Sequence, residues 1–524
     1  MNRSERLHAR RRRTRISFSG FLIALIAVTA SVAGWRLHLF GGGDATRPAA
    51  RDGRGGGIEI PGGATVTPSP TPTPSAPALP AGPGPINTKI AGLTTFRGNA
   101  TRTYYGQGPV PKDPKIIWRY TGGSAGDLCS SSENKGETKV WCGTGWTGQP
   151  NVVEWKGKTQ VRFGAYSGAV HVVNGATGED MKRPFQTGDI IKGTVTSDPD
   201  GYPLLYSGSR DNYFRILALD RGKRMEELWK LSADSAPNQV WNDDWDSSPL
   251  VIGDYLLEGG ENSWFYVVKL NRGYGPDGKV KVDPQVRAVF PGYDDQLFAD
   301  VGDQEVSIEN SPAFRDGIVY FANSGGLVQG WDVSAVLKGG KKVERVFRYW
   351  TGEDTDATVV IDEDGFLYAA SELERFNARS EEAGQLVKLD PSKPDDPVVW
   401  KKRIPGNGGD GGIWATPGLH AETVFVTTNT GRLLALKMEN GKKRWEIDLP
   451  PPTWTSPVIV DGVLIVGDCE GNLRAYDVTD PTKKPDQIWK VKLEGCIEAT
   501  PAVWKGMVYV GARGGAVYGI GDEV

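Results

Sequence analysis

The chain has 524 residues, with 61 Lys and Arg against 64 Asp and Glu, for a net charge of −3. The charge is divided: residues 1–15 carry seven Arg against Glu5, which leaves the rest of the chain acidic. An acidic body has no electrostatic footprint for phosphate, so nucleic acid is excluded as its partner.

In chain order, the basic arm of residues 1–15 precedes a nearly uninterrupted apolar run at 16–35. About 20 apolar residues suffice to cross a bilayer as a helix. Arginines before the run keep the N-terminus cytoplasmic and place the remainder outside. The alternative is a cleaved signal, with Ser31-Val-Ala33 as its small-residue site; the uncut single-pass anchor is the reading preferred. No cysteine precedes Cys129, so lipid attachment at an N-terminal cysteine is excluded. Residues 36–88 form a linker, Gly-rich and then Pro-rich through Thr67-Pro-Ser-Pro-Thr-Pro-Thr-Pro. Such a run favours extended polyproline conformation, at about 3.1 Å per residue.

From residue 89 onward the chain repeats a phrase. It reads Thr455-Ser-Pro-Val-Ile-Val-Asp-Gly462 and again Ala499-Thr-Pro-Ala-Val-Trp-Lys-Gly506. Pro417, Pro457 and Pro501 stand 40 and 44 residues apart. A period of that size, with short apolar runs cut by Asp-Gly turns, predicts repeated β-sheet units. Further copies begin near Gln149, Ser197, Ser247, Asn310, Ala357 and Ala415, which makes eight. Seven copies carry a fourth strand marked by an aromatic residue: Phe185, Trp229, Phe290, Phe347, Trp400, Trp445 and Trp489. The eighth runs to Val524 without one, and an orphan strand stands at Ile116-Ile-Trp-Arg-Tyr120. The expected fold is therefore all-β: an eight-bladed propeller of four-stranded antiparallel blades over 89–524, with the N-terminal strand completing the last blade. Closure removes the unpaired strand edges that an open ring would leave at the seam.

Cys129, Cys142, Cys469 and Cys496 lie in the exported part, where an even number suggests disulfides. Cys129 and Cys142 bracket a hairpin-like insertion, and Cys469 and Cys496 should meet on one rim between the last two blades. A metal site on these cysteines is the alternative, but no C-x-x-C spacing supports it.

The loop before each first strand should face the central channel. Three residues before the proline of the clear copies stand Asp246, Glu309, Trp414, Trp454 and Glu498; the weaker copies offer Thr147, Thr196 and Thr355. Acids and indoles on one face suit a cation, a sugar or a planar cofactor. The competing reading is that they cap turns and pack between blades. The densest acidic run, Trp241-Asn-Asp-Asp-Trp-Asp246, is followed by Glu258 and Glu261. Asp243, Asp244 and Asp246 are candidate Ca²⁺ ligands, although the spacing is not that of an EF-hand loop. A solvated acidic loop is the plainer reading. No H-E-x-x-H or phosphate-loop motif is present.

The phrases resemble the pyrroloquinoline-quinone (PQQ)-like repeat family. The match is densest over Ala415-Thr-Pro, Gly431-Arg-Leu-Leu-Ala-Leu and Asn440-Gly-Lys-Lys-Arg-Trp445. The segment Phe96-Arg-Gly-Asn99, with Tyr105-Gly and Gly108-Pro, is similar to the family's lead-in. The resemblance implies a propeller, in a family that includes quinone-dependent dehydrogenases, an outer-membrane-assembly scaffold and binding propellers. A dehydrogenase of this kind implies a Glu-Asn-Asp calcium set, a basic residue over the quinone and a Trp floor. Trp414 or Trp454 offers the floor, but the acids do not align with the calcium set, and no C-x-x-C-H haem motif occurs. The expectation is a monomeric, membrane-tethered binding or scaffold module without cofactor. Its partners would be envelope proteins or a cell-surface polymer, engaged through rim loops 129–142 and 272–283. The alternatives are a PQQ- and Ca²⁺-dependent dehydrogenase and a carbohydrate-binding propeller using Trp414 and Trp454.

Overall fold

Asp-Gly and Lys-Gly turns set the unit of this fold. Asp461-Gly462, Asp316-Gly317 and Lys505-Gly506 all have positive φ at both residues. This conformation matches the twist of a tight hairpin and joins the first and second strands of a blade. Blade 7 illustrates the result: Val458–Val460, Val463–Gly467, Asn472–Asp477 and Gln487–Lys492 form an antiparallel meander. The structure is a computed structural model and describes residues 89–134, 137–146, 148–409 and 411–523. The basic arm 1–15, the apolar run 16–35, the linker 36–88 and Thr147 lie outside the described residues. Among the described residues, no helix is long and apolar enough to cross a membrane.

Eight such blades form the ring, at 151–186, 196–232, 250–291, 313–350, 360–402, 418–448, 458–492 and 502–521. Their cores are the layers between neighbours. One buried set joins Phe425 and Leu433 of blade 6, Ile465 and Leu473 of blade 7, and Val508 and Tyr518 of blade 8.

The eighth blade takes its outer strand from the N-terminal side, as expected. Lys115–Tyr120 pairs antiparallel with Ala516–Gly521, and Trp118 stands opposite Gly519. The aromatic markers of the outer strands have a physical role. The Trp118 indole N–H donates to Gly175 O of blade 1 at 2.8 Å, and that of Trp400 donates to Met438 O of blade 6 at 2.9 Å. Trp445 reaches Pro481 O, and Trp489 reaches Pro111 O, each at 2.9 Å. Each indole thus ties its blade to the next and buries its ring with the N–H satisfied. The rings lie against glycines: a Cβ on Gly519 would stand 2.2 Å from Trp118, and one on Gly441 would stand 2.7 Å from Trp400. Gly519→Ala should therefore push Trp118 off the seam and cost about 1–3 kcal/mol, the usual range for overpacking. Urea midpoints measure this, and an unchanged midpoint would refute the contact's role.

The segment after residue 91 has a second task. Short inner strands converge at the hub of a propeller, and their inward carbonyls need donors. The lead-in supplies them, touching every blade in turn. Gly92–Leu93 pairs with blade 1, and Gly106–Gln107 pairs in parallel with blade 8. Ser197 N donates to Thr94 O, and Thr95 Oγ1 donates to Pro249 O. Phe314 N and Ile361 N donate to Ala100 O and Thr101 O. Arg97 Nη1 and Nη2 donate to Thr416 O and Pro457 O at 3.1 and 3.2 Å. Arg102 donates to Pro312 O at 2.8 and 2.5 Å and to Ser248 O at 3.4 Å. Both guanidiniums are fully buried. Desolvation lowers Arg97, and lowers Arg102 to about 9 despite the Glu258 charge. The lead-in is thus a plug that rivets the ring at one end of its channel.

Candidate site at the channel mouth

A ladder of hydroxyls defines the mouth opposite the plug. Gln149 N donates to Thr194 Oγ1, Thr194 N to Ser248 Oγ, and Ser248 N to Ser311 Oγ, at 3.0 to 3.2 Å. Ser311 N, Thr358 N and Thr416 N continue to Thr358 Oγ1, Thr416 Oγ1 and Ser456 Oγ. In blades 1 to 6 one backbone N–H is thereby satisfied by a short side chain of the next blade. The residue two before each rung stands at the mouth. Around the ring these are Lys192, Asp246, Glu309, Asp356, Trp414 and Trp454, and Glu498 holds the same sequence place before Thr500.

The ladder corrects two sequence assignments. Blades 2 and 5 carry Val195 and Val359 where the other blades have proline, so alignment on proline slipped there. The mouth residues are Lys192 and Asp356, not Thr196 and Thr355. Thr196 Oγ1 donates to Pro249 O near the plug, and Thr355 Oγ1 donates to Glu353 O within a turn.

Asp246 meets Asp244 of the preceding loop and Glu261 of the turn after the second strand; their carboxylates lie within 4.8 Å of one another. Asp243, grouped with Asp244 and Asp246 by sequence, is outside this trio and only half-buried. Two cations of the chain stand among the three carboxylates. Lys192 Nζ pairs with Asp246 and lies 3.4 Å from Glu261, and Arg210 Nε pairs with Asp244. Burial raises Asp244 to about 7 and pushes Asp246 well above the usual carboxylate range. Burial would also raise Glu261, but Lys192 foremost holds it well below the usual range. The trio does not fit Ca²⁺: the ammonium and guanidinium already supply the positive charge that the ion would bring.

A second trio, Asp354, Asp356 and Glu372, gathers at blade 5, and sequence reasoning missed it. Asn429 Nδ2 donates to Glu372 Oε2 at 3.3 Å. This all-oxygen set has the donor chemistry of a hard cation. Glu309 Oε1 accepts from Ser307 and Ser324 at 2.7 and 3.2 Å, and Ser324 also reaches Asp356 at 3.5 Å.

The aromatic arc follows. The Trp414 indole N–H donates to Asp356 Oδ2 at 3.0 Å. Its ring lies 4.7 Å from Trp454 in a T-shaped contact and stacks at 5.1 Å on Trp146, which leads into blade 1. Trp146 is buried, whereas Trp414 and Trp454 are half-buried. Trp146 thus crosses the mouth, a contact with no signal in the repeat phrase. Glu498, raised by burial, is bound by Arg513 Nη1 at 3.2 Å from each oxygen.

Both disulfides stand on this rim, joining Cys129 to Cys142 and Cys469 to Cys496. The Cys129–Cys142 hairpin leans on the mouth: Arg513 stacks 4.8 Å over Trp141, and Ser130 Oγ donates to Tyr166 O. Loop 272–283 joins the third and fourth strands of blade 3, so strand direction puts it on the opposite rim, where Arg272 Nη1 pairs with Asp198 at 2.7 Å. The two rim loops expected to share a partner therefore face opposite ways.

The closed ring, the indole ties between blades and the repeat phrase make this chain a β-propeller of PQQ-like repeats. A family profile described as outer membrane protein assembly factor BamB matches residues 382–484. Among curated proteins, BamB of Yersinia pestis is 30% identical over 166 residues, 32% of this chain and 36% of that protein. BamB of Salmonella typhimurium is 30% identical over 168 residues, 32% and 37% of the two chains. The match spans about a third of the length of these relatives. Among solved structures, quinohemoprotein alcohol dehydrogenase from Comamonas testosteroni superposes with a TM-score of 0.53 at 13% identity, covering 83% of this chain and 81% of that one. A europium-containing methanol dehydrogenase gives 0.50 at 13%, covering 82% and 98%. At these identities the likeness is one of fold.

Proposed function

We propose that the propeller is an extracytoplasmic binding or scaffold module of the cell envelope, held to the membrane by residues 16–35 and the linker. The observation that carries this is the repeat match to an outer membrane protein assembly factor. The charge network at blades 2 and 3 supports it, because Lys192 and Arg210 pair with the carboxylates that would otherwise suit a cation. Envelope proteins are the partners of this reading.

A second reading, a quinone-dependent dehydrogenase, is favoured by the oxygen-donor trio Asp354, Asp356 and Glu372 beside the indole of Trp414. Those carboxylates would hold a hard cation, and Trp414 would give a planar ring its floor. A third, polysaccharide binding, rests on the half-buried Trp414 and Trp454 beside acids, a pairing suited to stacking on sugar rings.

One experiment separates them. The detergent-solubilised full chain is titrated with PQQ and Ca²⁺ under a dye-linked turnover assay, and in parallel is used as bait for cross-linked envelope proteins. The expected result is no saturable PQQ binding at tens of micromolar and a specific cross-linked partner. Calcium-dependent turnover abolished by Asp356→Asn would replace this reading with the second. Polysaccharide retention lost in Trp414→Ala/Trp454→Ala would replace it with the third.

A further inference from the structure

The seam between blade 8 and blade 1 holds a buried histidine that the mouth does not use. His171 lies in the third strand of blade 1, Ala169–Asn174, and is fully buried. Its Nδ1 stands 2.8 Å from the hydroxyl of Tyr120, the last residue of the closing strand. The same hydroxyl donates to Asp180 Oδ1 at 2.7 Å. Asp180 Oδ2 accepts from the N–H and hydroxyl of Ser124, in the turn that follows the closing strand, at 3.0 and 2.9 Å.

Proton counting settles the tautomer. A phenol has one proton, and here it goes to Asp180. Toward His171 the phenol oxygen accepts, so the imidazole carries its proton on Nδ1. Nε2 then bears a lone pair, and it meets no hydrogen-bond partner among the described residues. The ring stacks on Phe163 at 5.1 Å and takes the edge of Tyr120 at 5.3 Å. An apolar wall tolerates a bare lone pair far better than a charged N–H with no acceptor.

We propose that His171 is an acid-sensitive latch on ring closure: the imidazolium carries an Nε2–H with no acceptor in its apolar pocket, so protonation drives the ring out and takes with it the Tyr120–His171 bond that ties the closing strand to blade 1. The groups that face His171 are Tyr120 from the closing strand, Phe163 from the neighbouring strand and Asp180 from its own blade. Asp180 is the charged one among them. Burial lowers His171 to about 4, and the Asp180 charge, which acts the other way, does not offset it. The direction of the effect follows. Unfolded, the imidazole takes a proton near pH 6.5; folded, it refuses one until about pH 4. Stability from this group is therefore complete above pH 6.5, falls as pH drops through that window and levels off below it.

The test is urea unfolding of the full chain in detergent at pH 7, 6, 5 and 4.5, for the natural sequence and for His171→Gln. The unfolding constant of the natural chain should rise from pH 7 to 4.5 by on the order of 100-fold more than that of the variant. Parallel pH curves would overturn the proposal. If the variant fails to fold, the natural chain still answers. Nitrogen-15 spectra of its four histidines should show one neutral Nδ1–H imidazole at pH 5. The absence of any such signal would overturn the latch.

Discussion

Arg102→Met should destabilise the propeller by about 4 kcal/mol, near the upper end for a single substitution. The side chain donates to Pro312 O, Ser248 O, Phe96 O and Thr95 Oγ1. Hydrogen bonds from a charged donor contribute about 1.5–3 kcal/mol each, and every carbonyl left behind is buried without a partner. Met fills similar volume, so the loss reports donors rather than a cavity. Lys should not rescue it, because one ammonium cannot reproduce the guanidinium fork that spans blades 3 and 4. Thermal and urea midpoints measure the effect. A loss under 1 kcal/mol would mean that the ring holds without its rivet.

Lys192→Met should cost about 3–5 kcal/mol, the range for removing one partner from a buried ion network. It leaves Asp244, Asp246 and Glu261 with Arg210 as the remaining cation of the network. The pH dependence carries a sign. Asp244, raised to about 7 foremost by burial, holds its proton more tightly folded than unfolded. Its contribution therefore favours the fold at acid pH and is lost as pH climbs from about 4 through 7. The variant should be hurt more at pH 8 than at pH 5. Millimolar Ca²⁺ should restore part of the variant's stability, because the vacated trio then has the oxygen set of a hard-cation site. Any response through the blade 5 trio Asp354, Asp356 and Glu372 is common to both proteins, so the variant should gain the larger stabilisation. Equal stabilisation of both proteins by Ca²⁺ would show that the ammonium does not occupy the ion's place.

The repeat architecture was legible because local chemistry dictates it. Asp461-Gly462 and Lys505-Gly506 can form tight hairpins wherever they occur, and alternation sets the strands on either side. Even the seam was readable: a missing fourth strand in the last repeat and an orphan strand at 116–120 leave one arrangement without an open edge. The mouth was legible in part. Asp246, Glu309, Trp414 and Trp454, picked out by their distance to a proline, stand two residues before a rung of the hydroxyl ladder, and Glu498 is held by Arg513. Where Val195 and Val359 replace proline, the same rule slipped and pointed to Thr196 and Thr355 in place of Lys192 and Asp356.

The sequence by itself determined the blade, the number of blades and the strand that closes the ring, since each follows from turn geometry and strand pairing among near neighbours in the chain. Only the tertiary structure decided which charges meet. Arg210 pairs with Asp244 from 34 residues away, Lys192 pairs with Asp246 across 54, and Arg97 reaches Pro457 O across 360. A ring brings distant loops to one axis. Coulomb energy and hydrogen bonding there depend on distances that no local pattern encodes. The acidic run that suggested a calcium loop is for this reason an ion network neutralised by the chain's own lysine and arginine.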